Sequence, residues 1–228
     1  MSDAVNREVT QGELDDLEMM IRESSEIIAE GVSYDDFLNT DYGDSHVEWA
    51  YGMVLKMPGI DLTHNLLTSF LDLLIKTYFS LLGVHGLVLR DPALMRTSSE
   101  LPRRAPDVQV LLPENRHRYQ RIETVGPADL VIEIVSKGTQ RIDHQIKHRE
   151  YERGGVPEYW IIDPIFRETL FFQLNEKGIF ERIAPDQYGY YQSKVLSRLR
   201  IPVDVFWRED LHHVPWVFAL VEDMLKDS

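Results

Sequence analysis

The sequence predicts a mixed α/β fold, a sheet with helices packed against it, and three observations carry that reading. Residues 129–136, DLVIEIVS, are mostly apolar on both alternating faces, as in a strand covered from both sides. Residues 63–82 hold Leu66, Leu67, Phe70, Leu71, Leu74, Tyr78 and Leu81 at helical spacing, which gives a wide buried face. Beyond Gly154-Gly155, short β-rich runs separated by turns read as a strand followed by an antiparallel meander. The order is helix, hairpin, helix, strands, helix, strands, an α/β (α+β mixed) arrangement.

Taken from the N-terminus, residues 12–30 place Leu14, Leu17, Met20, Ile21, Ser24, Ile27 and Ile28 three and four apart. That spacing predicts an amphipathic helix with an acidic outer face, stopped at Gly31. A short helix over Tyr34 to Leu38 has Ser33 as its N-cap and Asp36 three residues on. Residues 46–57 read as a strand pair around Tyr51-Gly52. After the 63–82 helix, closed by Gly83, strands are expected at 86–90, 107–112 and 129–136. A helix then runs from near Arg141 to Gly154, with Asp143 in its first turn where a carboxylate suits the helix dipole. Strands follow at 158–162, 169–173, 178–183 and 195–201, with a last helix over 215–225.

At 228 residues, with 43% hydrophobic and 27% charged, the chain has the size and composition of one globular domain with an appendage. It has no cysteine, which excludes disulfides, thiolate metal sites and cysteine nucleophiles. The first ten residues are polar and unlike a secretory signal, and the apolar stretch Leu66 to Leu82 is too interrupted to span a membrane. The cytoplasm is therefore the expected location. The net charge of −14 is unevenly placed: residues 1–50 hold 14 acids and 2 bases, and the rest is close to neutral. Residues 103–153 carry 10 Lys/Arg and three histidines, so a polyanion can be met there despite the overall charge. Residues 1–40 thus form an acidic helical extension, able to shield something basic, and 41–228 form the main domain.

The chemistry is expected around Glu133, a carboxylate inside an apolar strand, because an ionised side chain is costly to bury unless it is paired or binds a metal. Alternation puts Asp129, Val131, Glu133 and Val135 on one face and Leu130, Ile132 and Ile134 on the other. Asp107 opens the strand at 107–112. Two readings stand. Asp107 and Glu133 can share a hard divalent ion through oxygen, completed by a carbonyl such as that of Ile134 and by water. Alternatively, Asp107 is a strand-start residue after Pro106, and Glu133 pairs with a buried Arg or Lys. Asp143, Lys147 and Tyr151 stack at i, i+4 and i+8 on the following helix. There an ammonium can meet charge developing on a phosphate. Lys137, two residues past Val135, is the competing lysine.

The segment PDVQV, then DLVIEIVSKGTQRIDHQIKHREYERGGVPEYWIIDP, resembles the Uma-two family of the PD-(D/E)XK restriction-endonuclease-like superfamily. The shared features are Pro106-Asp107 before a strand, Glu133-x-x-Ser136, then Thr139, Arg141, Asp143, Lys147 and Tyr151. The 155–160 run GVPEYW and Asp163-Pro164 complete it, and residues 46–71 resemble the upstream hairpin and helix more loosely. The resemblance implies a restriction-endonuclease-like mixed sheet flanked by helices over 41–228, and an endonuclease that hydrolyses DNA with Mg²⁺ or Mn²⁺. It implies Asp107 and Glu133 as metal ligands and catalytic residues with Lys147, supported by Glu48, Asp143 and Tyr151. The lysine is displaced onto the helix, since Val135 occupies the superfamily's ordinary place. His64 falls at a recurring family position, but it lies one turn before Leu67, Thr68 and Leu71 and reads better as a satisfied, partly buried histidine. The resemblance further implies a homodimer. Lys137 in place of a usual proline, and the acidic leader, depart from the pattern. The leader suggests autoinhibition or a basic partner, and with it an alternative: a catalytically silent nuclease fold used as an interaction or regulatory module.

Overall fold

The computed structural model describes residues 10–211 and 213–226; the first nine residues of the acidic leader lie outside these. Helix α1 (Gln11–Ser24) starts at a capping box, in which Thr10 and Glu13 satisfy each other's backbone N–H. It is shorter than the periodicity predicts. Ser25 is already extended, and Glu26–Glu30 form strand β1 with alternating exposure. The β-branched Ile27 and Ile28 fit a pleated strand as well as a helix, and pairing with a neighbouring hairpin decides in favour of the strand. The acidic leader is therefore helical only in part.

Helix α2 (Tyr34–Asn39) begins where Ser33 accepts from the Asp36 amide. Strands β2 (Val47–Ala50) and β3 (Met53–Lys56) form a hairpin whose two turn residues, Tyr51 and Gly52, both have positive φ. Such a turn matches the right-handed twist of the flanking strands. Strand β1 adds to this hairpin in the order β1-β3-β2. Helix α3 (Leu62–Leu82) is capped by Asp61, which accepts from the His64 amide, and stops at Gly83 in the left-handed region.

Strands β4 (Leu87–Arg90), β6 (Val108–Leu111) and β9 (Leu130–Ile134) belong to the main sheet. Between them β5 (Leu94–Arg96), β7 (Tyr119–Gln120) and β8 (Glu123–Val125) form a small sheet of their own. From β9 the chain crosses over through a π-helical turn (Ile142–Lys147) that runs directly into α4 (His148–Arg153). Gly154 ends α4 against Thr97, where a Cβ would lie 2.4 Å from the threonine side chain. Strand β10 (Glu158–Asp163) lies parallel to β9, and β11 (Glu168–Leu174) and β12 (Phe180–Arg182) continue antiparallel. The expected strand at 195–201 is mostly turn: only β14 (Arg200–Pro202) is extended, paired with β13 (Tyr190–Gln192). Leu196 and Leu199 are buried from that turn, so apolar residues there serve packing without strand geometry. Helix α5 (Val214–Lys226) closes the described chain.

The main sheet has the order β12-β11-β10-β9-β6-β4. One face, with Val108, Val110, Leu130, Ile132, Trp160 and Ile162, packs on α3 and α5. The other, with Leu111, Val131, Val135, Tyr159 and Ile161, lies under the crossover and buries Tyr151. A third cluster joins Leu17, Met20 and Ile21 of α1 to Ala50, Met53, Leu55, Ile142 and Ile146. Parallel strands need a long crossover. Here that crossover carries the lysine of interest back over the face from which Glu133 projects. None of the helices is long and apolar enough to cross a membrane, among the described residues.

Candidate active site

The pairing of β6 with β9 sets Val108 opposite Ile132, and one further step places Asp107 opposite Glu133. Both carboxylates line one cleft, with Glu48, His64, Asp143 and Lys147. Asp107 is held from two sides: Oδ2 accepts the Ile134 N–H at 2.6 Å, and Oδ1 lies 3.1 Å from His64 Nε2. Burial works against a charged His64, but the hydrogen bond to Asp107 together with the charges of Asp107, Asp61 and Asp143 outweighs this and raises the imidazole above its ordinary value. His64 is thus a buried histidine, one turn into α3, whose partner is the predicted ligand Asp107.

Glu133 accepts from Lys147 Nζ at 2.9 Å and from the Tyr151 hydroxyl at 2.6 Å, one on each oxygen. Lys147 also lies 3.4 Å from Asp143 and 3.8 Å from Glu48. The structure thus brings together all six residues read from the sequence: Asp107, Glu133, Lys147, Glu48, Asp143 and Tyr151. Lys137 is exposed in the loop after β9 and is not part of this set. Across the π-helical turn Asp143 and Lys147 face the sheet while Ile142 and Ile146 pack against α1. Such wide turns recur where a helix carries functional side chains.

Behind this set stands Arg104, which has no counterpart in the sequence reading. It is 1% exposed, donates from Nη1 to Glu48 Oε2 at 2.8 Å, and forks onto both oxygens of Glu150 at 2.8 and 2.9 Å. The Tyr51 hydroxyl also reaches Glu150, at 3.3 Å. Arg104 sits outside the named strands, fixed by a backbone bridge to Met95. No periodic pattern marks it. At the rim, His46 Nε2 lies 3.3 Å from Asp91, whose bond raises the imidazole.

Charge is out of balance here. Glu48, Asp107, Glu133, Asp143 and Glu150 face two permanent cations, Lys147 and Arg104. Burial pushes the Glu133 and Asp143 carboxyls up, and the charge of Asp107 adds to the effect against the pull of Lys147. Burial also opposes the Lys147 ammonium, but the carboxylates of Glu133, Glu48, Asp143 and Asp107 overcome it and hold the group charged. For Glu48, burial raises the carboxyl, yet Lys147 and Arg104 prevail and keep it ionised. No three His, Asp or Glu side chains form a ready metal cage among the described residues.

Among solved structures, the fold is similar to a crystal structure described as a "putative nuclease belonging to DUF820" from Anabaena variabilis. The TM-score is 0.61 at 16% identity, covering 82% of this chain and 99% of that one. A likeness at that identity concerns the fold. A comparison with curated proteins finds no match. A model of the Uma2 family, described as "Putative restriction endonuclease", matches residues 34–201, which include every residue of the cleft named above. With well over half of its length matched, the chain belongs to the Uma2 family.

Proposed function

We propose that this protein is a Mg²⁺- or Mn²⁺-dependent nuclease that hydrolyses phosphodiester bonds in DNA. The observation that carries the reading is Asp107 opposite Glu133, with Lys147 beside them, in a cleft where carboxylates outnumber cations. The family description and that of the structural neighbour support a nuclease in general terms. The donor set fits a hard cation, since Mg²⁺ takes one or two carboxylates and fills its other positions with water. The cleft, about 40 Å³, holds roughly three water-sized positions at 10–15 Å³ each, room for an ion and the inner part of its shell, with its other waters at the open mouth. Asp107 and Glu133 would hold the ion, with Ile134 at the cleft wall. Such an ion supplies Lewis-acid polarisation of a phosphate oxygen and an activated water.

The chain's own groups do the rest. His64 and the Ile134 N–H fix the Asp107 carboxylate, and Tyr151 fixes that of Glu133. Lys147 brings a positive charge to the place where a phosphorane's negative charge would grow. Cleavage of plasmid, branched and single-stranded DNA with Mn²⁺ tests the reading. Asp107→Ala and Lys147→Met should each lower the rate about 10²–10³-fold, as loss of one transition-state contact does. Cleavage by the parent protein no faster than by Asp107→Ala would remove the claim.

The acidic leader fits this reading as a competitor for DNA. Glu13 pairs with Arg153 and Glu23 with Arg141, so the acidic face of α1 occupies basic side chains of the crossover. The core contacts of α1 make deletion a poor test. Charge reversal by Glu23→Lys should raise DNA affinity at low salt and lose its effect at high salt. A second reading, a silent nuclease fold acting as an interaction module, has one observation in its favour. Every oxygen of Asp107 and Glu133 already meets a protein donor. Absence of Mn²⁺ binding would favour it.

A further inference from the structure

A cation at Glu133 Oε2 competes with the Lys147 ammonium, which sits 2.9 Å from that oxygen and repels the ion, while Oε1 accepts from Tyr151. The ammonium is buried, so it needs another carboxylate at hand when it leaves. Asp143 Oδ1, 3.4 Å away and one turn back on the same helix, already pairs with it; the further place is at Glu48 Oε1, 3.8 Å away, near enough to attract and too far to count as a hydrogen bond, while its sister oxygen is anchored on Arg104. Arg104 in turn is fixed by its fork on Glu150 in α4, the helix that follows Lys147. We propose that Arg104 and Glu48 form a receiving site for Lys147: the ammonium pairs with Glu133 in the metal-free protein and moves onto Glu48 when Glu133 takes a cation. Glu48 and Arg104 are then positioning residues, and neither touches the ion. Arg104 serves this role because its planar fork holds Glu150 with two bonds while a third nitrogen holds Glu48. The exchange keeps the lysine charged and inside the cleft, where the reaction needs it.

The inference rests on the metal reading above, and Mn²⁺ affinity measured by calorimetry separates the two. The comparison uses the parent protein, Glu48→Gln, Lys147→Met and the Glu48→Gln/Lys147→Met double variant, each checked for a cooperative thermal melt. With Lys147 present, Glu48→Gln should weaken Mn²⁺ binding by about tenfold, a coupling typical of one ion-pair network. In the Lys147→Met background the same substitution should change affinity by no more than about twofold, since no ammonium needs rehousing. Arg104→Lys, which keeps the charge and loses the fork, should weaken binding in the same direction. Equal weakening in both backgrounds would make Glu48 a ligand and overturn the proposal. No weakening in either would show that Lys147 does not change partners, and would overturn it too. If the parent protein and Asp107→Ala alike bind no Mn²⁺, the metal reading itself falls and takes this one with it.

Discussion

Glu158 and Glu133 are buried glutamates on adjacent parallel strands, and their surroundings differ in kind. The Glu158 carboxylate accepts from the Trp160 indole, the Tyr191 and Ser193 hydroxyls and the amides of Lys194 and Val195. All of those donors are neutral and fixed. Burial raises Glu158, and these bonds oppose the rise without help from any ion pair. Glu133 has two donors, one of them an ammonium shared with other acids, and two more carboxylates press on it. A carboxylate satisfied by fixed dipoles holds the start of β10 and the 193–195 turn together. One left in a surplus of negative charge at a cleft is suited to receive a cation. The contrast separates a structural acid from a functional one better than burial, which is almost the same for both.

The contrast breaks most readily at Glu158. In Glu158→Gln an NH₂ faces either the Ser193, Lys194 and Val195 donors or the Trp160 and Tyr191 donors. Each donor left unsatisfied in the interior costs roughly 1–3 kcal/mol. A loss of about 4 kcal/mol is expected, a fall in Tm of roughly 10 °C for a chain of this size. Glu133→Gln should abolish cleavage yet cost no more than about 1 kcal/mol, because Lys147 keeps Asp143 and Glu48 and the repulsion from Asp107 is relieved. Parallel thermal melts and cleavage assays decide it; equal destabilisation by the two changes would erase the distinction.

Changing the pH sharpens the same comparison. Glu133 is raised from its ordinary 4.5, so the folded state holds that proton more tightly than the unfolded chain. The stability this contributes is full below the unfolded value and is lost as pH rises through the folded one. Glu133→Gln has nothing to titrate there. Its stability relative to the parent should therefore improve from pH 4.5 upward, by up to about 1.4 kcal/mol per pH unit within the window. Urea unfolding at a series of pH values measures this, and a flat difference would sink it.

Some of this site was legible in the residues alone. Alternation along 129–136 sorted Glu133 from Ile132 and Ile134 onto the face where the structure has it, and the four-residue spacing of Asp143 and Lys147 put them side by side. These are local periodicities, which a sequence carries openly. The Arg104 hub was not legible, because its partners lie 46 and 56 residues away and its segment, Pro102 to Ala105, has no period. Strand β1 was hidden for another reason: Ile27 and Ile28 continue a helical stripe, and only the edge of β3 chooses between the two forms. His64 was read by its apolar neighbours Leu67 and Leu71, which belong to α3. What it touches is the end of β6, a contact fixed by how helix and sheet cross.

His64 also gives the finest test of the comparison, since it reports on the Asp107 charge without altering the core. Burial alone would lower the imidazole, and Asp107, through its hydrogen bond and its charge, leads the groups that lift it, with smaller help from Asp61 and Asp143. Asp107→Asn should therefore bring the His64 titration, followed by ¹⁵N NMR, below its ordinary value. Added Mg²⁺ should lower it in the parent protein as well, because a cation on Asp107 repels an imidazolium. Removal of the ring by His64→Asn should cost about tenfold in Mn²⁺ affinity, the low end of what a residue orienting a ligand is worth. A His64 titration unmoved by both Asp107→Asn and Mg²⁺ would mean that its charge is set by something other than Asp107. The histidine would then belong with Glu158 among the structural groups.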